Sequence, residues 1–491
     1  MSSLWTFREA ERATGGTSTR PWRADDVSID TRRNIDRAIF FAIIDRRDGH
    51  EFIDQAFRMG AAAAIVSRIP PDLPKRHPLL LVEDTVQALG SLGAAARRRA
   101  KGIVIGVTGS VGKTGTKDMI RTVLDGQGIV HAAERSFNNH LGVPLTLARM
   151  PRDATHTVVE IGMNRPGEIT PLARLADLDV ALVTTVAPVH MAAFDNLDDI
   201  ARAKAEIFSG LRPAGSAIIN RDQETFGILE AAANDAGATV VTFGRSDRAD
   251  FHLVSVETDE LSTVVTCRAR GRILTARLSA LVPHLALNLL GVLAVVDAVG
   301  LDLGDAVDAL PDWQVPDGRG NRFRVRFRED NGGVVEIIDE SYNANPTSMS
   351  AALESLASAI PGKRDAAGNA GRRVAILGDM LELGVDEERQ HAQLARHPAL
   401  EQIDSIHTVG NLMRSLHDAL PKSKRGEWHE DADRLAGRIS ELLAPGDVAM
   451  LKGSAGTMVG KVVEAIRCAG LERGRRRGSS DRRPRHAGSP E

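Results

Sequence analysis

Gly109, Ser110, Val111, Gly112, Lys113 and Thr114 form a glycine-punctuated run between an apolar stretch with strand character, 103–107, and a helical pattern. Those residue types suit phosphate. Glycines let backbone N–H groups approach an anion, a helix N-terminus adds positive potential, and a lysine reaches the outer phosphates. The Thr114 hydroxyl is then placed to hold Mg²⁺. With Thr108 at the strand end, residues 108–114 make the candidate phosphate contacts. The strict pattern asks for glycine at 107, where this chain has Val107 with Gly106 one place away, so the loop is a variant.

Further polar residues fall where open α/β sheets bind ligands, beyond the carboxyl ends of strands. Glu160 closes the run TVVE, His190 follows LVTTV, Asp339 and Glu340 end VVEII, and Lys452 ends VAML. Singly, each reads as a solvated cap or an exposed loop group. Together, a carboxylate and an imidazole around one phosphate loop meet the needs of a metal–nucleotide site. Ser136, Asn138, Asn139 and His140 make an amide-rich loop before a helix start, suited either to a substrate's polar groups or to capping that helix. Residues 341–346 have similar chemistry and include Tyr342, the one tyrosine of the chain.

The elements that must position these groups follow from pattern and length. A chain of 491 residues exceeds one core and implies several domains. Short strand-like runs at 38–44, 63–66 and 79–82 alternate with helical stretches at 52–59 and 85–100, giving a first unit, 1–100. Runs at 103–107, 157–161, 179–185 and 216–219 interleave with helical patterns, so residues 101–313 predict a mostly parallel sheet with helices on both faces. Between 238 and 280 the runs alternate without helices and predict an antiparallel appendage, followed by a helix at 285–299. The Pro- and Gly-rich stretch 311–320 is a linker by composition, and 314–471 reads as a second open α/β sheet of Rossmann-like type. From Glu472 seven Arg stand against three acidic residues with almost nothing apolar, which predicts a disordered basic tail, 472–491. The fold class is therefore α/β.

A net charge of −3 gives no reason to invoke nucleic acid or a membrane surface. No run approaches the roughly 18 apolar residues of a membrane span, and the N-terminus lacks the apolar core of a signal peptide. The two cysteines, Cys267 and Cys468, have no redox or metal-ligand spacing. A cytoplasmic protein is expected.

The motifs, in their order, resemble the Mur ligase family, which builds the peptide of bacterial cell-wall precursors. They are SIDTRR at 28–33, DGHEFI at 48–53, TGSVGKT at 108–114, SFNNHLGVPLTLARM at 136–150, EIGMNRPGEI at 160–169, and the stretch 186–208. DESYNANPTSMSAAL at 339–353, LGDMLELG at 377–384 and LKGSAGTM at 451–458 complete them. NNHLGVPLTL together with SYNANP and LGDMLELG resembles the branch that adds a D-alanyl-D-alanine dipeptide. No Asp-Asn-Pro-Arg signature of the diaminopimelate- or lysine-adding branch is present.

The resemblance implies a UDP-sugar domain, a central ATP domain and a C-terminal domain that closes over the nucleotide. It implies ATP-dependent amide formation through an acyl phosphate, with UDP-N-acetylmuramoyl-tripeptide and D-alanyl-D-alanine as small-molecule substrates of a monomer. The alternative is a related Mur-type or folylpolyglutamate-type ligase with another amino-acid acceptor. By the same resemblance Lys113, Glu160, His190 and Lys204 are catalytic. Thr114, Glu160, His190 and Lys204 (as a carbamate) would hold two Mg²⁺ ions. Asn288, Arg319 and Asp339 join the ATP site, and Ser28, Thr31, Arg32, Asn138 and Asn139 bind the UDP-sugar substrate. Two positions depart from the family pattern: Leu285 stands where an asparagine is common before Asn288, and Arg165 where a histidine is frequent.

Overall fold

The computed structural model describes residues 3–476, apart from 46, 135, 189–192, 260–261, 327–333, 364–369 and 385. The first apolar runs become a five-stranded sheet: β1 (Thr17–Ser18), β2 (Asp26–Ser28), β3 (Ala38–Phe41), β4 (Ala63–Val66) and β5 (Leu79–Leu81), in the order β1-β5-β4-β3-β2. β3 and β4 are buried along their whole length, as strands covered on both faces must be. The helix Thr85–Arg99 leaves this sheet with Asp84 capping the Val86 and Gln87 N–H groups.

The central sheet has nine strands. They are β6 (Ile103–Thr108), β7 (Val130–Ala132), β8 (His156–Glu160), β9 (Leu178–Val183), β10 (Leu211–Asn220), β11 (Thr239–Gly244), β12 (Phe251–Thr258), β13 (Thr263–Ala269) and β14 (Arg272–Leu278). Their order is β14-β13-β12-β11-β10-β9-β6-β8-β7. β6 lies between β8 and β9, parallel to both, so the residues after β6, β8 and β9 emerge side by side at one edge. The appendage is antiparallel only from β12 to β14. β11 pairs in parallel with β10, and β12 joins β11 in parallel through Phe243 and Gly244. The helix Phe226–Asp235 explains this, since it supplies the crossover that a parallel β10–β11 pair requires. The helix Ala286–Ala298 is apolar on nearly every side and accordingly buried.

Two compact units divide the chain, one holding Met1–Pro188 and Ala193–Gln314, the other starting at Val315. The five-stranded sheet thus shares a unit with the central sheet. Trp5 Nε1 donates to Ala148 O at 2.8 Å, and the buried Arg97 donates to Ala176 O and Asp177 O at 3.0 and 2.7 Å.

The second unit is a six-stranded sheet of β15 (Asn321–Val325), β16 (Val335–Glu340), β17 (Arg373–Gly378), β18 (Ser405–Val409), β19 (Arg425–His429) and β20 (Val448–Lys452). Its order is β15-β16-β20-β17-β18-β19, parallel except for the edge strand β15. β15 and β19 were not evident in the sequence. Their charged residues place them at edges, where the alternation of a half-exposed strand is short and mixed. The last helix, Gly460–Arg476, runs past the expected start of the tail at Glu472, because no proline interrupts it before Pro484. Residues 477–491 lie outside those described. Among the described residues no helix is long and apolar enough to cross a membrane.

Candidate active site

β6 delivers the phosphate loop. Gly109 has φ +150° and Gly112 φ +85°, and a Cβ on either would lie 1.9 Å from Thr184 Oγ1 or 2.4 Å from Asn288 Nδ2. At either position a side chain would be strained and would push on the neighbouring side chain. Gly112 is the N-cap of the helix Lys113–Asp125 and offers no capping side chain, so the first helical N–H groups face the loop. The loop is anchored from the strand beside it. Ser110 N donates to Thr185 O at 2.6 Å, Ser110 Oγ donates to Ala187 O at 2.9 Å, and Thr184 Oγ1 donates to Val111 O at 2.7 Å. Lys113 Nζ donates to Gly109 O at 2.6 Å, curling over the loop. Thr108 is fully buried and its hydroxyl finds no partner among the described residues.

Next to the loop lies a cluster of polar side chains. Glu160, 1% exposed at the end of β8, accepts from Thr114 Oγ1 at 2.7 Å through Oε2. Its Oε1 accepts from Ser136 Oγ and, at 2.8 Å, from Asn138 Nδ2. Ser136 Oγ also lies 3.3 Å from Thr114 Oγ1 and 3.0 Å from Asn138 Nδ2. Four hard oxygens thus converge on one buried point, the donor set that Mg²⁺ prefers. The two adjacent asparagines divide their work. Asn138 serves Glu160, whereas Asn139 Oδ1 accepts from Leu141 N and Gly142 N at 3.2 and 2.9 Å, capping the helix Gly142–Ala148.

Lys204 is buried in the helix Leu197–Ala205 and ends it beside no carboxylate partner among the described residues. Burial, and then the Lys113 charge, hold its pKa well below the lysine range. Asn288 is buried against Gly112 at the start of the helix Ala286–Ala298. Leu285 is half-buried and His284 exposed. His190 lies outside the described residues.

Ser28, Thr31 and Arg32 line a different feature, a cleft of about 620 Å³. Its floor is apolar, with Phe40, Ile43, Phe52, Phe137 and Leu145 among its lining. Ser28 Oγ is tied to Asp30, and Arg32 makes a two-point pair with Asp30 at 2.9 Å.

In the second unit Asp339 ends β16 and is buried. It accepts from Ser341 Oγ at 2.6 Å and Gly318 N at 3.2 Å, and lies 3.8 Å from Arg467. The Arg319 guanidinium stacks 3.9 Å from the Tyr342 ring centre. Lys452 is buried, with Nζ 3.3 Å from Glu340 and 3.0 Å from Asn343 O. Burial pulls its pKa down against the Glu340 charge.

Sequence reasoning assigned no role to Asp379, His391 or Ser454. Asp379 accepts from Met413 N at 2.7 Å, His391 Nε2 accepts from Met380 N at 2.8 Å, and Ser454 Oγ donates to Ala344 O at 3.2 Å while accepting from Leu381 N. These bonds gather the loops after β16, β17 and β20 into one rim. The available signal was positional, since Asp379 directly follows β17 and Ser454 comes two residues after the end of β20.

Comparison with known proteins agrees with this architecture. The family description "Mur ligase middle domain" matches residues 107–296, and "Mur ligase, glutamate ligase domain" matches 321–455. The chain belongs to the Mur ligase family. Its relatives there include the UDP-N-acetylmuramoyl-tripeptide–D-alanyl-D-alanine ligases of Bacillus subtilis, 34% identical over 90% of this chain and 92% of that protein, and of Escherichia coli, 33% identical over 90% and 93%. Among solved structures, MurF from Acinetobacter baumannii aligns with TM-score 0.78 and 28% identity over 94% of this chain and 98% of that one. MurF ligase from Thermotoga maritima in complex with ADP aligns with TM-score 0.72 and 26% identity, covering 91% and 98%.

Proposed function

We propose that this protein is an ATP-dependent ligase that joins D-alanyl-D-alanine to UDP-N-acetylmuramoyl-tripeptide in the cytoplasm, acting as a monomer. The observation that carries the proposal is the Thr114–Ser136–Asn138–Glu160 cluster next to the phosphate loop. Residues 1–100 would serve as the UDP-sugar domain, 101–313 as the ATP domain and 314–471 as the C-terminal ligase domain.

A carboxylate is a poor electrophile, so its terminal oxygen takes the γ-phosphoryl group of ATP first. The amine of the dipeptide then attacks the acyl phosphate, and ADP and phosphate leave. Lys113 and the amides of residues 109–114 bind the transferring phosphoryl group and offset its charge. Asn288, fixed against Gly112, would orient the nucleoside, and Arg319 and Asp339 would take part in nucleotide binding.

The cluster fits a divalent cation by chemistry. Glu160 and Thr114 present oxygens, and Ser136 and Asn138 now donate to the carboxylate where a cation would take their place. When bound, Mg²⁺ supplies charge neutralisation at the β- and γ-phosphates. A second ion would be held by His190 and by Lys204 as its carbamate. The depressed pKa of Lys204 supports this, since carbamate formation needs the neutral amine.

The test is ATP-dependent phosphate release with UDP-N-acetylmuramoyl-tripeptide, with and without D-alanyl-D-alanine. Strict dependence on both is expected. Release that required glutamate or diaminopimelate instead would favour another amino-acid-adding ligase.

A further inference from the structure

The cleft lined by Ser28, Thr31 and Arg32 carries four described guanidinium groups, and three of them are committed to carboxylates. Arg32 pairs with Asp30 at 2.9 Å, Arg33 with Glu134 at 3.1 Å, and Arg149 with Asp26 at 3.2 Å. Arg47 differs. It sits at the tip of the tight turn closed by the Ile44–Asp48 bridge, and its guanidinium lies 4.6 Å from the centre of the Phe52 ring. No carboxylate among the described residues pairs with it. Stacking on an aromatic face fixes the plane of a guanidinium while leaving its N–H edge free, an arrangement suited to two-point recognition of phosphate.

From this geometry we infer that Arg47 is the phosphate-recognising residue of the cleft and holds the diphosphate of a nucleotide-linked sugar. The inference rests on the reading of the cleft as the UDP-sugar site. Size and lining agree with it. About 620 Å³ accommodates a nucleoside diphosphate, and the apolar floor of Phe40, Ile43, Phe52 and Phe137 takes flat or hydrocarbon surface rather than charge. Asp45, on the same turn and also lining the cleft, would repel phosphate, and its carboxylate suits sugar hydroxyls instead. The turn thus presents one group for phosphate and one for hydroxyl, two residues apart. Arg32, Arg33 and Arg149 each already face a carboxylate, which leaves Arg47 as the guanidinium whose N–H edge is most open to an anion.

The test is calorimetric titration of UDP into the full-length protein, its Arg47→Ala variant and its Arg47→Lys variant, each at low and at raised KCl. Arg47→Ala is expected to weaken UDP about tenfold or more at low salt, with the gap narrowing as salt rises. Arg47→Lys should lie between, keeping charge and losing the two-point fork. Equal UDP affinity in all three proteins would overturn the role of Arg47. So would a loss of the same size at both salt concentrations, which would mark a change of cleft shape instead. A parent protein that binds no UDP would overturn the cleft reading on which the inference stands.

Discussion

Gly112 illustrates how one atom governs the site. An alanine there would have to hold φ near +85° and seat its Cβ 2.4 Å from Asn288 Nδ2, costing about 1–2 kcal/mol in backbone alone. Gly112→Ala is expected to lower Mg·ADP affinity about tenfold or more, measured by titration, with folding retained. Lys204 gives a second prediction. Lys204→Ala should lose most turnover at low Mg²⁺ and regain part of it with added short carboxylates; unchanged turnover would remove it from the site. His407 gives a third. It is buried in β18 and accepts from Glu427 N at 3.0 Å, and burial lowers its pKa to about 4 from 6.5. The unfolded chain therefore binds more protons between those values, so stability is whole above pH 6.5 and is lost as pH falls toward 4. The loss is about 3 kcal/mol in order of magnitude. Thermal melts across that range should show a smaller acid dependence for His407→Gln than for the parent. At this scale the sequence anticipated which groups share one locus where residue type limits the options: Lys113 curls over the loop, and Thr114 meets Glu160. It left Asn138 and Asn139 equivalent, because adjacent amides have the same chemistry and only the chain's turn sends one to Glu160 and the other to a helix end.

The elements were legible where pattern is long and pure. β4 coincides with its expected span, and the phosphate-loop strand extends one residue beyond its span. Pairing partners were not legible, since strand direction is decided by crossovers distant in sequence; β11 therefore turned out parallel. The segment 133–138 shows how elements fix a site together. Lys117, fully buried one turn after Lys113, donates to Ala133 O and pairs with Asp118 at 3.1 Å. The same segment supplies Ser136 and Asn138 to Glu160. The helix Lys113–Asp125 is thus pinned to it twice, through Glu160 and through Lys117. Lys117→Met should lower stability by about 1–3 kcal/mol, because Ala133 O loses its donor and the half-buried Asp118 its counter-charge. It should also weaken Mg·ADP binding, whereas a purely structural tie would lower the melting temperature and leave that affinity alone.

In the whole molecule, the phosphate loop, Glu160, Lys204 and the 620 Å³ cleft all belong to the unit that ends at Gln314, while Arg319 and Asp339 belong to the other. Mg·ADP at a hundredfold excess over its Kd adds about 2.7 kcal/mol to whatever it binds. In a calorimetric scan it should shift the transition of the first unit more than that of the second. The strand order carries a consequence for how the chain comes to life. β6 is encoded early, yet it pairs with β8 and β9, and Thr108 meets its partner Val183 only after the three intervening helices have been made. The loop that follows β6 takes its anchors from Thr184, Thr185 and Ala187, later still. During synthesis the phosphate-binding residues therefore emerge long before they can bind, and an unpaired apolar strand waits with them. Sheets closed over such sequence distances form slowly and leave edges open in the meantime. Nucleotide recognition is in this sense a late property of the nascent chain, acquired when β9 inserts beside β6, and substitutions in β9 would be felt first as poor yield of folded protein rather than as poor catalysis.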